Sequence, residues 1–569
     1  MKIIGLNIYH ADSAACLMDN GKLLSAIEEE RINRVKHWAG FPSRSINFCL
    51  ENNNLIANNI DCIAINSNTL SNAFEKIKYL IFNLKKNFKG NIKRHIKKNL
   101  ISKSISDLKF KKEIKILRFD HHLCHIASAY YPSNFDKCIA LSVDGFGDFA
   151  SLNIALCEKK NIKILKRIYF PHSIGLLYEA ITQHLGFDKY GEEYKVMGMS
   201  AYGKPKYYEN IKNLFFLDNS NFKLKTQYFN HINGNFNYKF EGSPYIGTIF
   251  SEKINNILGK KRLLNQITQD HYDLASSIQL IFEEIIEYFL KKIDVNTKNL
   301  ILSGGCAYNS LSNGKIAQLR KFDDVFVPQS PGDAGGALGA AFLACIKNNV
   351  EIKKNSIQNP YLGSEYTDTE INSVINTYFL NKNHNIKVNK LPSDILIKDT
   401  AKILSKGKVV GWFQSKMEFG SRALGNRSIL ADPSNPNMKE IINSKIKLRE
   451  NFRPFAPSIL EEYLNDWFEC KIKSPYMSFV YKIKSEKQSR IPAVTHYDGT
   501  GRVHTVSKSL NFFYYRLILE FYKITKIPML LNTSFNENEP IVQNPNQAIE
   551  TFLRTEMDAL AIGNYLIQR

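Results

Sequence analysis

The chain has 569 residues and a formal net charge of +22. Hydrophobic residues make up 44% and charged residues 23%, so the composition excludes an intrinsically disordered chain. At roughly 100–200 residues per domain the length allows two to four domains, and no apolar run approaches the roughly 18–20 residues that span a bilayer.

The positive charge has two interpretations. Nucleic acid, a membrane surface or acidic small molecules could be its partner. The richness in Lys, Asn and Ile favours the other interpretation, an AT-biased coding sequence. The densest basic stretch lies within Lys76–Arg118 and reads "NLKKNFKGNIKRHIKKNL". Its few aromatic residues favour a solvated helical face over a nucleic-acid patch.

Cysteine usage and the first residues address location. The nine cysteines are scattered and form no CxxC pair, which is typical of reduced, buried thiols in a cytosolic protein. The start, "MKIIGLNIYHADSA", lacks an apolar segment after a basic one, so we predict no signal peptide. We therefore expect a cytoplasmic protein that does not contact a membrane.

The first half predicts an internal duplication. Residues 2–30 and 138–167 each read as an apolar strand, a polar loop with an Asp, a small-residue strand, a tight turn and a further strand. Such a repeat is typical of a two-lobed sheet fold. Actin-like ATPases and sugar kinases are built this way, with the acidic loops facing each other across a cleft.

The helical and strand patterns then change twice along the chain. A helix is predicted over 272–293, followed by a strand and Gly turn in "KNLILSGGCAYNS". Residues 350–395 lose clear periodicity, and we place a linker there, at 356–395. Residues 396–569 begin with a helix and a strand and end the same way, as a complete α/β unit. We therefore predict an α/β protein with a first domain at 1–355 and a second at 396–569.

A histidine pair carries the strongest local signal. His121 and His125 are four residues apart and share one face of a helix, so both imidazoles can bind one metal ion. Two histidines do not complete a coordination sphere. Asp144 and Asp333 follow strands in the loops that would face the cleft, and they are the candidate partners. The alternative is a hydrogen-bonded histidine pair and two turn aspartates.

Two Gly-rich turns follow strands and precede helices. They are Ser303-Gly304-Gly305 and the run from Gly332 to Gly336. Backbone N–H groups in such turns can cradle phosphate, although neither turn is a Walker A loop. Together they predict a nucleotide in the cleft.

Cations and polar residues cluster beside turns in the second half, which suits capture of a polyanion. The alternative is a set of salt bridges to Glu418, Glu450 and Asp432. The clustered residues are Arg422, Asn426, Arg427, Ser428, Lys447, Arg449, Arg453, His496, Asp498, Arg502, Asn532, Ser534 and Asn536.

These motifs, in this order, resemble the O-carbamoyltransferases of the NodU/CmcH family. The resemblance runs from Gly5 to about Gly563. It rests on "HHLCHIASAYYPSNF", "SVDGFGD", "EYKVMGMSAYGKP", "LSGGCAYNS", "PQSPGDAGGALGAA", "EFGSRALGNRSILADP", "RENFRPFAPSIL", "HYDGTGRVHTV" and "LNTSFN".

The resemblance implies a first domain similar to TsaD, of the two-lobed actin-like (ASKHA) superfamily, and a YrdC-like twisted-sheet second domain. The second domain would form carbamoyl-adenylate from carbamoyl phosphate and ATP with Mg²⁺. The first would pass the carbamoyl group to a hydroxyl of a small-molecule acceptor, such as a natural product or a sugar. A nucleic-acid partner is disfavoured, and a homodimer is compatible with this interpretation.

The resemblance also implies residue roles. It makes the metal a divalent ion, with Fe²⁺ expected, held by His121, His125, Asp144 and Asp333. Residues of the acceptor site would be His10, Asp12 and Lys36, with His10 as the base. The adenylate in the first domain would be held by Gly304, Gly305, Asn309, Gly335 and Gly336. The contacts to ATP and carbamoyl phosphate would be Arg422, Lys447, Arg449, Arg453, Arg502 and Ser534.

Four positions depart from the family pattern: Ser415, Ser421, Tyr308 and His504. Three other functions compete with O-carbamoyl transfer. A tRNA-modifying threonylcarbamoyl enzyme is favoured by the basic charge. Hydrogenase maturation protein HypF joins the same domain types in the opposite order and carries zinc-finger cysteines. An inactive actin-like scaffold need not keep the metal and Arg/Lys sets.

Overall fold

The structure is a computed structural model that describes residues 1–82, 104–105, 107–111, 113–218, 221–233, 241–263, 266–319, 321–380 and 386–569. The basic stretch "NLKKNFKGNIKRHIKKNL" lies outside the described residues, so its helical face stays a prediction. The described chain forms two compact units, Met1–Gln358 and Asn359–Arg569. No described helix is long and apolar enough to cross a membrane.

The first unit contains two five-stranded mixed sheets with the same topology. One has the order β3–β2–β1–β4–β5 and the other β12–β11–β6–β7–β8, where the strands are β1 (Lys2–Asn7), β2 (Ala14–Asp19), β3 (Lys22–Glu28), β4 (Cys62–Ile65), β5 (Lys115–Arg118), β6 (Lys137–Gly147), β7 (Ala150–Glu158), β8 (Asn161–Tyr169), β11 (Asn299–Ser303) and β12 (Asp324–Phe326). In each sheet the first three strands in sequence are antiparallel and the last two add in parallel. The predicted repeats at 2–30 and 138–167 form those antiparallel strands. A separate hairpin pairs β9 (Phe215–Asp218) with β10 (Asn221–Leu224).

Small residues let the helix Gly335–Lys347 lie close to the first sheet and to the helix His121–Tyr130. A Cβ on Gly5 would lie 2.2 Å from the Ala337 carbonyl oxygen, and one on Gly339 would lie 1.9 Å from that of Cys124. Only glycine allows such an approach. The helices of this unit are α1 (Glu29–Asn33), α2 (Ser43–Glu51), α3 (Ala73–Phe82), α4 (His121–Tyr130), α5 (Ile174–His184), α6 (Glu193–Met199), α7 (Tyr208–Lys212), α8 (Asn255–Leu258), α9 (Gln269–Lys291), α10 (Ser310–Gln318), α11 (Gly335–Lys347) and α12 (Lys354–Ile357).

The second unit is built on one ten-stranded mixed sheet. Its order is β13–β22–β21–β14–β15–β20–β16–β19–β18–β17, with β13 (Lys387–Lys390), β14 (Val410–Phe413), β15 (Arg427–Ala431), β16 (Ala456–Leu460), β17 (Phe468–Glu469), β18 (Phe479–Ile483), β19 (Thr500–Val506), β20 (Met529–Ser534), β21 (Ala559–Ile562) and β22 (Tyr565–Gln568). Its helices are α13 (Asp368–Phe379), α14 (Ser393–Ser405), α15 (Met438–Lys445), α16 (Leu464–Trp467), α17 (Ser485–Gln488), α18 (Phe512–Thr525) and α19 (Pro545–Arg554).

Most of the segment expected to be a linker, 356–395, is instead folded into the second unit. Helix α13 buries Ile371 and Ile375, and β13 pairs with β22 at the edge of the sheet. The helix begins at a capping box, in which Thr367 and Glu370 satisfy each other's backbone N–H groups. The letters "TDTE" carry that signal, which the polar composition of the segment obscured.

Candidate functional site

Four side chains converge in the first unit: His121, His125, Asp144 and Asp333. Helix α4 places the Nε2 atoms of the two histidines 3.0 Å apart. His121 Nε2 lies 3.3 Å from Asp144 Oδ2 and from Asp333 Oδ1, and His125 Nε2 lies 3.5 Å from the same two atoms. The structure therefore brings together the four residues that the sequence predicts as metal ligands.

The donor set fits a divalent metal ion. A metal about 2.0–2.1 Å from tetrahedral N and O ligands sets its ligand atoms roughly 3.3–3.4 Å apart, which is close to the observed spacings. Asp333 Oδ1 is buried, and the Nε2 atoms of the two histidines lie 3.3 and 3.5 Å from it. A buried carboxylate needs a compensating charge, which a bound cation would supply.

Burial and the neighbouring charges act in opposite directions on the pKa values of these four residues. Burial lowers the pKa of His121, but hydrogen bonds and charges from Asp144 and Asp333 outweigh it and leave the pKa well above its ordinary value. Burial raises the pKa of Asp333, and the charge of Asp144 raises it further. The two histidines nevertheless bring that pKa down to about 2. Burial also raises the pKa of Asp144, but the two histidines hold it well below its ordinary value, so both carboxyl groups are ionised at neutral pH, as metal binding would require.

Neighbouring residues hold the histidine helix in place. Asp120 caps α4 by accepting a hydrogen bond from the Leu123 N–H at 3.0 Å. Asp148 Oδ2 accepts from the His121 N–H at 3.0 Å and from the Asn68 N–H at 2.7 Å. Asp148, the second Asp of "SVDGFGD", is a positioning residue that the sequence reasoning missed. His122 is buried and its ring contacts those of His121 and His125, but its two ring nitrogens bond the Ser142 hydroxyl and a backbone carbonyl.

The three expected acceptor-site residues have different surroundings. His10 stacks on His121 with ring centroids 4.5 Å apart, and burial, followed by the charge of His121, lowers its pKa to about 3. Asp12 Oδ1 lies 2.8 Å from Nδ1 of His37. Lys36 is exposed. His37, the next residue along "ERINRVKH", is therefore the one that reaches Asp12, and sequence reasoning missed it.

One glycine turn contacts the group of His121, His125, Asp144 and Asp333, which is called the metal group below. Gly305 donates its N–H to Asp144 Oδ1 at 3.1 Å, and a Cβ there would lie 2.7 Å from the same oxygen. Gly335 and Gly336 begin α11 and lie against the Ser330 carbonyl and Asn66. Asn309 caps α10 and exchanges two hydrogen bonds with Gln279 at 2.9 and 3.0 Å. These residues lie in the predicted turns between strands and helices, and their contacts within the protein are structural.

Three arginines of the second unit act on one another electrostatically. Burial lowers the pKa of Arg502 well below its ordinary value, and the charges of Arg422 and Arg449 lower it further. Arg502 Nε is buried without a hydrogen-bond partner among the described residues. Grouped cations that repel each other are stabilised by a polyanion.

Other cations of the cluster are tied to the protein. Lys447 is buried, and its Nζ donates to the Ser534 carbonyl at 2.5 Å and the Asn536 carbonyl at 2.7 Å. Arg453 pairs with Glu450 at 2.6 Å, as the salt-bridge alternative predicts at that position. Arg427 is fully buried and donates to backbone carbonyls, including that of Gln414 at 2.6 Å. Arg427 is therefore a structural residue.

The four departures lie in different settings. Tyr308 faces Gly332, where a Cβ would meet its ring at 2.8 Å. His504 pairs with the Ser458 hydroxyl at 2.8 Å, and burial lowers its pKa to about 3. Ser415 has a left-handed φ of 44°, and Ser421 is exposed.

Comparison with known proteins covers both halves of the chain. Residues 2–342 match the family model for the carbamoyltransferase N-terminus, and residues 401–569 match that for the carbamoyltransferase C-terminus. Nodulation protein NolNO of Sinorhizobium fredii is 35% identical over 99% of this chain and 80% of its own length. Nodulation protein NolO of Bradyrhizobium diazoefficiens is 35% identical over 79% of each chain. An uncharacterized protein of Synechocystis is 35% identical over 100% of this chain and 96% of its own.

Proposed function

The chain belongs to the carbamoyltransferase family and is a carbamoyltransferase; on that premise we propose that it is an ATP- and carbamoyl-phosphate-dependent O-carbamoyltransferase. In the first step ATP, carbamoyl phosphate and one water give carbamoyl-adenylate, pyrophosphate and phosphate. In the second step an acceptor hydroxyl takes the carbamoyl group and AMP leaves. The acceptor is a small molecule of the natural-product or sugar class.

We assign the first step to the second unit. Its support is the grouping of Arg422, Arg449 and Arg502: burial lowers the pKa of Arg502, and the charges of the other two arginines lower it further. Guanidinium groups bind phosphate oxygens bidentately and neutralise the charge that develops during phosphoryl chemistry. Lys447 holds the Ser534 turn beside this site through hydrogen bonds. ATP would enter with Mg²⁺.

We assign the second step to the first unit. His10 is the proposed base that takes the proton of the acceptor hydroxyl. Its ring lies 4.5 Å from that of His121, and its lowered pKa keeps it neutral, so that it can accept a proton. His121, His125, Asp144 and Asp333 would hold a divalent metal, expected to be Fe²⁺. When bound, this ion supplies a Lewis acid for the carbonyl or the leaving phosphate. Carbamoyl-adenylate is a mixed anhydride, so the site must exclude water.

The observation that carries the proposal is the convergence of the four predicted ligands within 4.8 Å in a chain of this family. The test is pyrophosphate release from ATP and carbamoyl phosphate, followed by transfer to candidate hydroxyl acceptors. His125→Ala should abolish transfer and leave pyrophosphate release intact. Arg502→Ala should lose pyrophosphate release. His122→Gln is the matched control on the same helix, because its ring nitrogens bond the Ser142 hydroxyl and a backbone carbonyl.

Two results would contradict the proposal. Absence of pyrophosphate release by the unaltered chain would exclude the first step. Loss of both pyrophosphate release and transfer in a folded His125→Ala chain would show that the two steps do not occupy separate sites. Metal analysis of the purified protein supplies an independent readout, since His125→Ala should also lose the bound ion.

A further inference from the structure

Gln329 and Asn153 are two buried residues of the first unit whose side-chain amide N and O both lack a hydrogen-bond partner among the described residues, and Gln329 is the one in the loop that leads to Asp333. Gln329 is 3% exposed, and neither Oε1 nor Nε2 has a hydrogen-bond partner among the residues that the structure describes. The hydroxyls of Ser330 and Ser303, 2% and 1% exposed, also lack partners within the described chain. Burying an unpaired amide costs free energy, so a ligand that pairs with the Gln329 amide would offset that cost.

The parallel strands β6, β11 and β12 end at the same edge of the second sheet, so the loop that carries Gln329 begins at the edge where Asp144 lies. In the parallel ladders Ile301 lies opposite Phe326, and Ser303 lies opposite Ser142. Gln329 lies three residues beyond Phe326, the last residue of β12, in the loop that leads to Asp333. The Gly304 N–H donates to the Pro331 carbonyl at 2.8 Å, which fixes the loop beside the turn. Two residues after Pro331, Asp333 reaches the histidines.

We propose that Gln329 recognises the carbamoyl group that this enzyme transfers; the inference rests on the proposed function. A carbamoyl group presents a carbonyl acceptor next to an NH₂ donor. A carboxamide presents the same two groups in reverse, so the two can form a pair of parallel hydrogen bonds. The chain contains such a pair already, between Gln279 and Asn309. Gln329 presents the same donor and acceptor, and neither has a partner among the described residues.

This pairing would give the site its specificity. A site built to hydrogen-bond an NH₂ group strongly rejects an analogue without it, because its own buried polar atoms are then left unpaired. An acetyl group keeps the carbonyl and has a methyl group in place of NH₂. Gln329 should therefore favour carbamoyl over acetyl, whereas the metal group treats both carbonyls alike.

Thermal unfolding of the unliganded full chain gives the first test. Gln329→Leu removes two unpaired buried atoms, so its Tm should equal or exceed that of the unaltered chain. Gln183→Leu is the matched control. Gln183 is also buried, but it bonds the Gly247 carbonyl and the Ile249 N–H, both at 2.8 Å, and its loss should lower Tm. A drop in Gln329→Leu as large as in Gln183→Leu would make Gln329 structural and overturn the proposal.

Binding gives the second test. The probes are 5′-O-(N-carbamoylsulfamoyl)adenosine, its N-acetyl counterpart and AMP, titrated calorimetrically into the chain carrying Arg502→Ala, which removes the second unit's site. The chain should prefer the carbamoyl probe to the acetyl probe by tenfold or more. Adding Gln329→Leu should abolish that preference and leave AMP affinity unchanged, while Gln183→Leu keeps the preference.

The outcomes separate the two hypotheses. An equal loss for all three probes in Gln329→Leu would mean that Gln329 binds the adenine, and it would overturn the proposal. A retained carbamoyl preference in Gln329→Leu would overturn it too. Failure of the proposed function would instead appear as no pyrophosphate release from ATP and carbamoyl phosphate by the unaltered chain.

Discussion

Two glycines near the end of β6 differ in what a methyl group would meet. A Cβ on Gly147 would lie 1.9 Å from Cδ2 of His121, whereas one on Gly145 would meet only Leu176, at 3.9 Å. Gly147→Ala must push the His121 ring away, so we expect a loss of metal affinity and about 1–3 kcal/mol of stability. Gly145→Ala should change stability by less than about 0.5 kcal/mol. Urea unfolding and metal analysis of both variants check this, and equal behaviour would contradict it.

The pair formed by Asp12 and His37 predicts a pH dependence. Burial lowers the pKa of His37, but the charge and hydrogen bond of Asp12 outweigh it, and the pKa lies above the ordinary 6.5. A raised folded-state pKa contributes stability that is complete below pH 6.5 and is lost as pH rises through the folded pKa. Asp12→Asn should therefore lower the pKa of His37. NMR titration of its ring Cε1–H signal measures this, and an unchanged pKa would show that Asp12 does not set it.

A metal ion is disfavoured at that second cluster, although Asp12, Glu30 and His37 lie close enough to hold one. Glu30 pairs with Arg31 at 2.7 Å and accepts the His37 backbone N–H at 2.6 Å. The charge of Lys36 also acts on Glu30. A site already surrounded by cations repels another, so we assign it to orienting His37.

At the scale of whole elements, the capping box of α13 is testable. Thr367→Ala removes the side chain that caps the Glu370 N–H and should cost about 1 kcal/mol. Thr377 lies on the same helix, is exposed and bonds back to the Ser373 carbonyl, so Thr377→Ala should cost less than about 0.5 kcal/mol. Urea unfolding followed by circular dichroism gives both values. A neutral Thr367→Ala would mean that the segment contributes nothing to the second unit.

The sequence predicted some elements better than others for physical reasons. The repeats at 2–30 and 138–167 could be predicted because apolar residues in a strand form a recognisable pattern and hairpin turns use distinctive residues. Helix α13 could not, because it buries only Ile371 and Ile375 and reads as a polar segment. Partners across sheets were also unreadable, since β6 pairs with β11, more than a hundred residues later.

For the molecule as a whole, the candidate site was predictable where chemistry fixes residue type. Metal ligands must be His or carboxylate, so His121 and Asp333 stand out in the amino-acid sequence. Supporting contacts carry no such signature. Asp148 accepts the backbone N–H of His121 at the start of α4 and that of Asn68 in another loop, and a carboxylate after a strand is typical of a turn. Gln329 is an ordinary residue until its burial and missing partners among the described residues are known.

The net charge of +22 bears on the rival function, modification of tRNA. Binding that rests on charge alone falls steeply with salt, because counterions are released from the phosphates. We expect tRNA to bind weakly at low salt, to be released near physiological salt and never to gain a carbamoyl group. Fluorescence anisotropy across a salt series and mass spectrometry of the recovered tRNA measure both. Tight binding at physiological salt, or a modified nucleoside, would favour the tRNA enzyme.

Under our proposal the same charge acts on smaller anions, so kcat/KM for ATP and carbamoyl phosphate should fall as ionic strength rises.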